Sequence, residues 1–252
     1  MNPRGKTALI TGGAHRVGKA ITMMLAAAGA NVIVNYNSSS TEADETVHSA
    51  KALGVDALAI QADVADPVAV AAMVERIKTY FGGVDIIVNS ASYFGKTPFP
   101  SDNPDVYDMW QRVTKISIDG PFFICNALVP TMQQRGGGVI VNIVDLSVWF
   151  PWKDFMAHAV GKAGLLAFTQ SLALELAPTI RANAIAPGLI EPPPGRSQKQ
   201  IDASAKRNLL HRWSGGDAVA HAVRYLIEAD FVTGEVLTVD GGERFVAKGP
   251  TS

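Results

Sequence analysis

The sequence is poor in cysteine, in clustered charge and in long apolar runs, and each shortage excludes a class of protein. Its one cysteine, Cys125, can form neither an intramolecular disulfide nor a multi-cysteine zinc site. It lies in the apolar run Pro121–Val129 and reads as a small buried hydrophobe. Lys and Arg number 22 against 23 Asp and Glu, a net charge of −1, with no basic block. Neither nucleic acid nor an anionic membrane is therefore expected as a partner. No run approaches the ~20 apolar residues that span a bilayer. After polar, basic Met1–Lys6, the apolar segment Thr7–Thr11 is too short for the core of a signal peptide, so the expected location is cytoplasmic. His48, His211 and His221 lack metal-ligand spacing, and no metal is expected.

What is present is a well-supplied core. Hydrophobic residues make up 48% of the 252 and charged residues 18%, which suits one α/β domain over residues 1–252. Short apolar segments without polar alternation recur at Thr7–Thr11, Asn31–Asn35, Ala57–Gln61, Val84–Asn89, Gly138–Val144, Arg181–Ala186 and Glu235–Val239. Strands buried on both faces of a parallel sheet read this way. Between them, helical spacing covers Arg16–Ala28, Thr41–Leu53, Pro67–Phe81, Pro104–Gln134, Phe155–Ala177 and Asp217–Ala229. Asp66-Pro67 supplies an N-cap and a first-turn proline, and Gly29 and Gly54 stand where helices should stop. The alternation predicts a doubly wound, Rossmann-type domain: a seven-stranded parallel sheet with helices on both faces. One long turn-rich stretch, Gly188–Ala205, suits a flexible substrate lid.

The stretch Thr11-Gly12-Gly-Ala-His15-Arg16-Val17-Gly18 ends the first strand and opens a helix. Gly12 permits a tight turn, Gly18 lets the helix approach the sheet, and the helix N-terminus offers N–H groups to a pyrophosphate. Arg16 reads as a partner for phosphate oxygens. Asp63-Val64 follows the third strand, where a carboxylate accepts an adenine amino group or caps a helix. Asn89-Ser90-Ala91 ends the fourth strand, at the sheet edge where ligands bind in such folds; its small residues admit a cofactor or simply make a turn. The second strand runs into Asn35-Tyr36-Asn37-Ser38-Ser39 without the acid that would bind a ribose 2′-hydroxyl, the first being Glu42. NADP(H) is thus favoured over NAD(H).

Thr11-Gly12 with Gly18, Asp63, Asn89-Ser90-Ala91, Lys162, Pro187-Gly188 and Asp240-Gly241-Gly242, in that order over nearly the whole chain, resemble the short-chain dehydrogenase/reductase family. Arg16 in place of the turn's middle glycine, Asn89-Ser-Ala-Ser-Tyr-Phe94, and Asp145 in place of the family's serine resemble its pteridine reductase branch, which includes dihydromonapterin and dihydrofolate reductases of this fold. The resemblance implies an NADPH-dependent reductase of a small carbonyl or pterin-like imine. It also implies a homo-oligomer, dimer or tetramer, with the helices Pro104–Gln134 and Phe155–Ala177 as interface. Nicotinamide would lie near Asn89 and Pro187-Gly188. Phe94 would stack on a planar heterocycle or pack under the substrate loop, with Leu189 at the substrate mouth beside Val148-Trp149-Phe-Pro-Trp152, an aromatic stretch that would clamp a flat ligand or pack at a subunit interface.

The family's catalytic set is Asn, Ser, Tyr and Lys, and three of the four differ here. Lys162 is present; four residues earlier stands His158, thirteen before that Asp145, and Ser117 matches the Asn. A lysine beside a tyrosine hydroxyl lowers the phenol's pKa so that it donates a proton as hydride arrives. Histidine keeps a titratable donor, with an ordinary pKa of about 6.5. Lys162 and a cofactor cation depress that value, while Asp145 raises it by pairing or donates a proton itself if kept neutral. The family's lysine also binds the nicotinamide ribose. Two readings stay open: a reductase using an Asp145–His158 acid pair, and an NADP(H)-binding protein with little or no redox turnover, a sensor or assembly partner, as the loss of Tyr and Asn suggests.

Overall fold

A computed structural model describes residues 1–193 and 195–246; Pro194, inside the expected lid, and 247–252, at the end of the expected domain, lie outside the described residues. Seven strands form one parallel sheet in the order β3-β2-β1-β4-β5-β6-β7. They are β1 (Thr7–Thr11), β2 (Asn31–Tyr36), β3 (Ala57–Gln61), β4 (Ile86–Asn89), β5 (Gly138–Ile143), β6 (Ile180–Pro187) and β7 (Val236–Val239). Every residue of β1, β4 and β5 is buried, which is why these segments carry no polar alternation. The helices are α1 (Arg16–Ala27), α2 (Ser40–Lys51), α3 (Pro67–Phe81), α4 (Asp105–Thr114), α5 (Gly120–Gln134), α6 (Met156–Leu176), α7 (Gln198–Ala205) and α8 (Gly216–Glu228). One core joins Ile10 and Val141 to Ile21 and Leu25 of α1 and Val223 and Leu226 of α8. The other joins Leu9 and Ile140 to Ile77 of α3 and Leu128 and Met132 of α5. Each such side chain contributes roughly 1.5–3 kcal/mol by leaving water.

The seven expected strands all form, with ends moved by at most two residues. Asp66 caps α3 by accepting from the Val68 N–H at 2.8 Å. Two expectations need correction. The stretch Pro104–Gln134 is not one helix, because Lys115–Asp119 is a π-helical segment between α4 and α5. Pro121 has no N–H for the Ser117 carbonyl and its ring crowds that oxygen, and a widened turn relieves both. The Gly188–Ala205 lid is not loop throughout. Its last eight residues form α7, held by a capping box in which Ser197 and Gln200 satisfy each other's backbone N–H groups.

Among the described residues no helix is long and apolar enough to cross a membrane. Strand order reverses at β1, with β2 on one side and β4 on the other, so a crevice opens at the carboxyl ends of β1 and β4.

Candidate active site

The turn after β1 crosses that crevice under tight steric limits. Gly12 has φ +62°, and a Cβ there would lie 3.1 Å from the Ala91 Cα on the turn after β4. A Cβ on Gly18 would lie 2.0 Å from the Gly12 carbonyl oxygen. No side chain caps α1, whose N-cap is His15, so its first N–H groups remain available to an anion. A concave backbone that only glycine permits, ending on an uncapped helix N-terminus, fits a dinucleotide pyrophosphate.

Several expected cofactor residues serve the frame instead. Thr11 Oγ accepts from the Ser90 and Ala91 N–H groups at 2.9 and 3.0 Å, tying β1 to β4. The Asn35 side chain is buried and donates to the Ala62 carbonyl at 3.0 Å, so it is turned to β3 rather than to a ribose. Past half-buried Tyr36, Asn37 and Ser38 are exposed at the end of β2. Asp63 is paired with Arg112 at 2.5 Å and accepts from the Ala65 N–H; the helix cap is Asp66. Val64 is buried against Gly120. Arg16, expected on phosphate, instead reaches the loop after β6: Nη2 donates to the Glu191 carbonyl at 2.7 Å and Nε lies 3.5 Å from the Glu191 carboxylate. It does so from φ +45°, a backbone state where glycine would be unstrained.

His158 and Lys162 sit one turn apart on α6 and so share a face, which is turned to the end of β5. The His158 Nε2 lies 2.5 Å from an Asp145 carboxylate oxygen. The other carboxylate oxygen accepts from the Ser147 N–H at 2.8 Å and from the Ser147 hydroxyl. Burial alone would raise the Asp145 pKa, but the His158 hydrogen bond, the Lys162 charge and Ser147 outweigh it and hold the carboxyl below its ordinary 3.8. It is ionised at neutral pH and has no proton to give, which removes the expectation that Asp145 itself donates. Lys162 donates to the Ile143 carbonyl at 2.7 Å. Burial pulls its ammonium below the ordinary lysine range, and the Asp145 charge opposes that pull. Ser117, in the π-helical segment, packs against Gly161 of α6, where a Cβ would lie 2.8 Å from the Ser117 Cβ. Its hydroxyl and the His158 Nδ1 are buried polar atoms with no partner among the described residues. Buried Asn89 donates to Asn142 at 2.8 Å and Asn142 to Thr169 at 2.8 Å, a polar chain from β4 to α6.

These groups border a cleft of about 830 Å³ lined by Gly12, His15, Arg16, Val17, Gly18, Ser90, Ala91, Phe94, Asp145, His158, Lys162, Pro187, Gly188 and Leu189. Phe94 is 57% exposed and stacked on Phe155 with ring centres 4.4 Å apart, and it meets the His158 ring in a T-shaped arrangement at 4.8 Å. Trp152 lies nearly parallel to His158 at 5.8 Å. Trp149, expected at the substrate mouth, instead lines a separate hollow with Phe150 and Arg244. The short 3-10 turn Leu146–Val148, which Asp145 caps, carries Trp149 away and brings Trp152 in. Sequence reasoning also missed Phe155, Ser147, Asn142 and Arg196, the last on the cleft wall. Trp152 and Phe155 had one signal, an aromatic run between Asp145 and His158.

Switch-point crevice and glycine cradle, on a seven-stranded parallel sheet, make this a Rossmann-type fold. A family described as "Enoyl-(Acyl carrier protein) reductase" matches residues 12–243. The chain belongs to the short-chain dehydrogenase/reductase family of oxidoreductases. It is 36% identical over 247 residues, covering 95% of the chain and 94% of the relative, to 3beta-hydroxysteroid dehydrogenase 1 of Eggerthella lenta. It is 32% identical, over 94% of the chain and 97% of the relative, to the 3-oxoacyl-[acyl-carrier-protein] reductase FabG of Staphylococcus aureus. Among solved structures, L-sorbose reductase from Gluconobacter frateurii, complexed with NADPH and L-sorbose, superposes with a TM-score of 0.89 at 28% identity, covering 96% of this chain and 98% of that one.

Proposed function

We propose that this protein is an NADPH-dependent oxidoreductase that reduces a small carbonyl or pterin-like imine, with His158 as the proton donor. The observation that carries the reading is the setting of the imidazole: Nε2 is held by an ionised Asp145, and Nδ1 is a buried nitrogen without a partner among the described residues, in a residue that lines the cleft. A bound reduced nicotinamide supplies the hydride. Asp145 stabilises the imidazolium, whose Nδ1–H gives its proton to the substrate oxygen or nitrogen as the carbon is reduced. Neutral His158 is left with its Nε2–H still on Asp145. Lys162, anchored on the Ile143 carbonyl, holds the ribose and keeps a positive charge beside the dyad. Phe94, backed by Phe155, offers an aromatic face to a flat substrate. The missing acid between Asn35 and Ser39, with Asn37 and Ser38 exposed there, supports NADP(H) over NAD(H), as does the NADPH in the sorbose reductase complex. Work in the cytoplasm as a homo-oligomer belongs to the same reading.

NADPH oxidation with dihydrobiopterin, dihydrofolate and a panel of ketones tests it. Substrate-dependent oxidation is expected, falling by about 10²–10⁴ in His158→Gln while NADPH still binds. Activity on ketones alone removes the pterin. Tight NADPH binding without turnover on any of them overturns the catalytic reading and leaves a cofactor-binding protein, the role that the loss of Tyr at 158 and Asn at 117 favours.

A further inference from the structure

The charged side chains on the cleft wall cancel largely in pairs. Arg16 stands against Glu191, Lys162 near Asp145, and Arg207 against Glu243 at 2.7 Å. Arg196 is left over: it lines the same cleft and has no carboxylate within ion-pair reach among the described residues. Its Nη1 donates to the Ser204 hydroxyl at 3.2 Å, and Ser204, largely buried in α7, donates to the Gln200 carbonyl. The guanidinium is held by one corner, and its other N–H groups have no protein acceptor among the described residues. Around the reacting centre the wall is Phe94, Trp152 and Phe155, none of which carries a charge, and Ser90 and Ser92 add only neutral hydroxyls to the same cleft. Recognition by charge of a substrate seated there falls to the wall formed by α7 and its flanks, where Arg207 is paired with Glu243 and Arg196 has no ion pair among the described residues.

We propose that this wall binds an anionic group of the substrate, with Arg196 as the residue that recognises it. The substrate class is then a flat or aryl carbonyl, or imine, with a carboxylate-like tail: the flat part lies on the Phe94 side and the tail on Arg196. A planar fork of N–H donors suits a carboxylate, and the Ser204 tether lowers the entropy lost on binding. The inference rests on the reduction proposed above for its choice of substrate, but it is tested by binding alone. The anion on Arg196 has a second source, a phosphate of the dinucleotide, so cofactor affinity is measured alongside.

Aryl ketones with a terminal carboxylate on alkyl spacers of increasing length, each paired with its methyl ester, are titrated into the NADP⁺ complex by calorimetry. At least one acid is expected to bind about tenfold or more tightly than its ester, the ratio for a charge-assisted hydrogen bond. That ratio falls toward one in Arg196→Gln and is partly kept in Arg196→Lys, while ester and NADP⁺ affinities hold. Equal binding of acid and ester at every spacer length overturns the proposal, and so does an acid preference that survives Arg196→Gln. A tenfold loss of NADP⁺ affinity in Arg196→Gln, with the acid preference intact, overturns it by assigning the residue to the cofactor. An acid preference that depends on Arg196, in a protein that turns over none of these ketones, sustains the site and sinks the reduction.

Discussion

At the scale of single residues the chemistry turns on the Asp145 carboxylate, which accepts from His158 on one oxygen and from Ser147 twice on the other. Its charge stands against the His158 ring in a cleft walled by Phe94, Trp152 and Phe155, with the Lys162 ammonium beside it. Asp145→Asn keeps the shape and removes the charge, so kcat is expected to fall by about 10²–10³ with NADPH affinity unchanged. Ser147→Ala is milder. Removing the hydroxyl, one of the donors to the charged form, while the backbone N–H stays, raises the Asp145 pKa, so the acid limb of kcat/KM moves to higher pH while activity above it stays near wild type. A pH–rate profile of both variants checks the pair. The spacing of Asp145, His158 and Lys162 was legible because it matches a family pattern residue by residue. Ser147 was not, since two residues of separation mean contact only once the chain turns after β5. Trp149 and Trp152 could not be told apart either, because the direction of an aromatic in a short turn is set by backbone dihedrals.

At the scale of elements, the turn into α1 and the segment ending in α7 make opposite demands on the chain. The turn is rigid through close backbone approach, and a methyl group on Gly18 meets the Gly12 carbonyl and the Gly13 Cα, neither of which can yield locally. Gly18→Ala is expected to cost roughly 1–3 kcal/mol in overpacking and to weaken NADPH binding about tenfold or more, because the displaced carbonyl and N–H groups are the cradle itself. Thermal melts and a dinucleotide fluorescence titration measure the two effects. Helix α7 is eight residues long and depends on its cap. Ser197→Ala removes about 1 kcal/mol of helix stability, expected as faster hydrogen exchange over 198–205 with little change in Tm. The strands and α3 could be read from apolar runs and from Asp66-Pro67. The prolines and polar residues before α7 hid its start, whose signal was the Ser197 to Gln200 spacing. The π-helical segment was hidden because a helical period looks the same on both sides of it, although Pro121 marked the place.

At the scale of the whole molecule, binding and stability are separated along the strands. The cleft lies at their carboxyl ends, while at the opposite end Asp85, its side chain 2% exposed, ties three parts of the fold together. It accepts from the Thr7 N–H at 2.9 Å, opening β1, and from Arg135 after α5 at 2.8 and 3.3 Å, with Lys6 at 3.7 Å. Those partners are 78 and 50 residues away in sequence, so no local pattern announces Asp85. Burial alone would raise its pKa; the Arg135 and Thr7 hydrogen bonds and the charges of Arg135 and Lys6 outweigh this and hold it below 3.8. A carboxyl depressed in the folded state adds stability that is complete above the unfolded value and lost as pH falls through the folded one. Asp85→Asn is therefore expected to cost about 2–4 kcal/mol at neutral pH. The gap to wild type should stay constant down to pH 3.8 and close below it. The lone cysteine supplies the readout: burial pushes the Cys125 thiol up to about 12, so in the folded protein it is no thiolate at pH 8 and reacts only on opening. Its alkylation should run about 30-fold faster or more in Asp85→Asn than in wild type, while NADPH affinity at the far end of the sheet is unchanged. Equal labelling rates would mean that the Asp85 network does not hold the amino ends of the strands together.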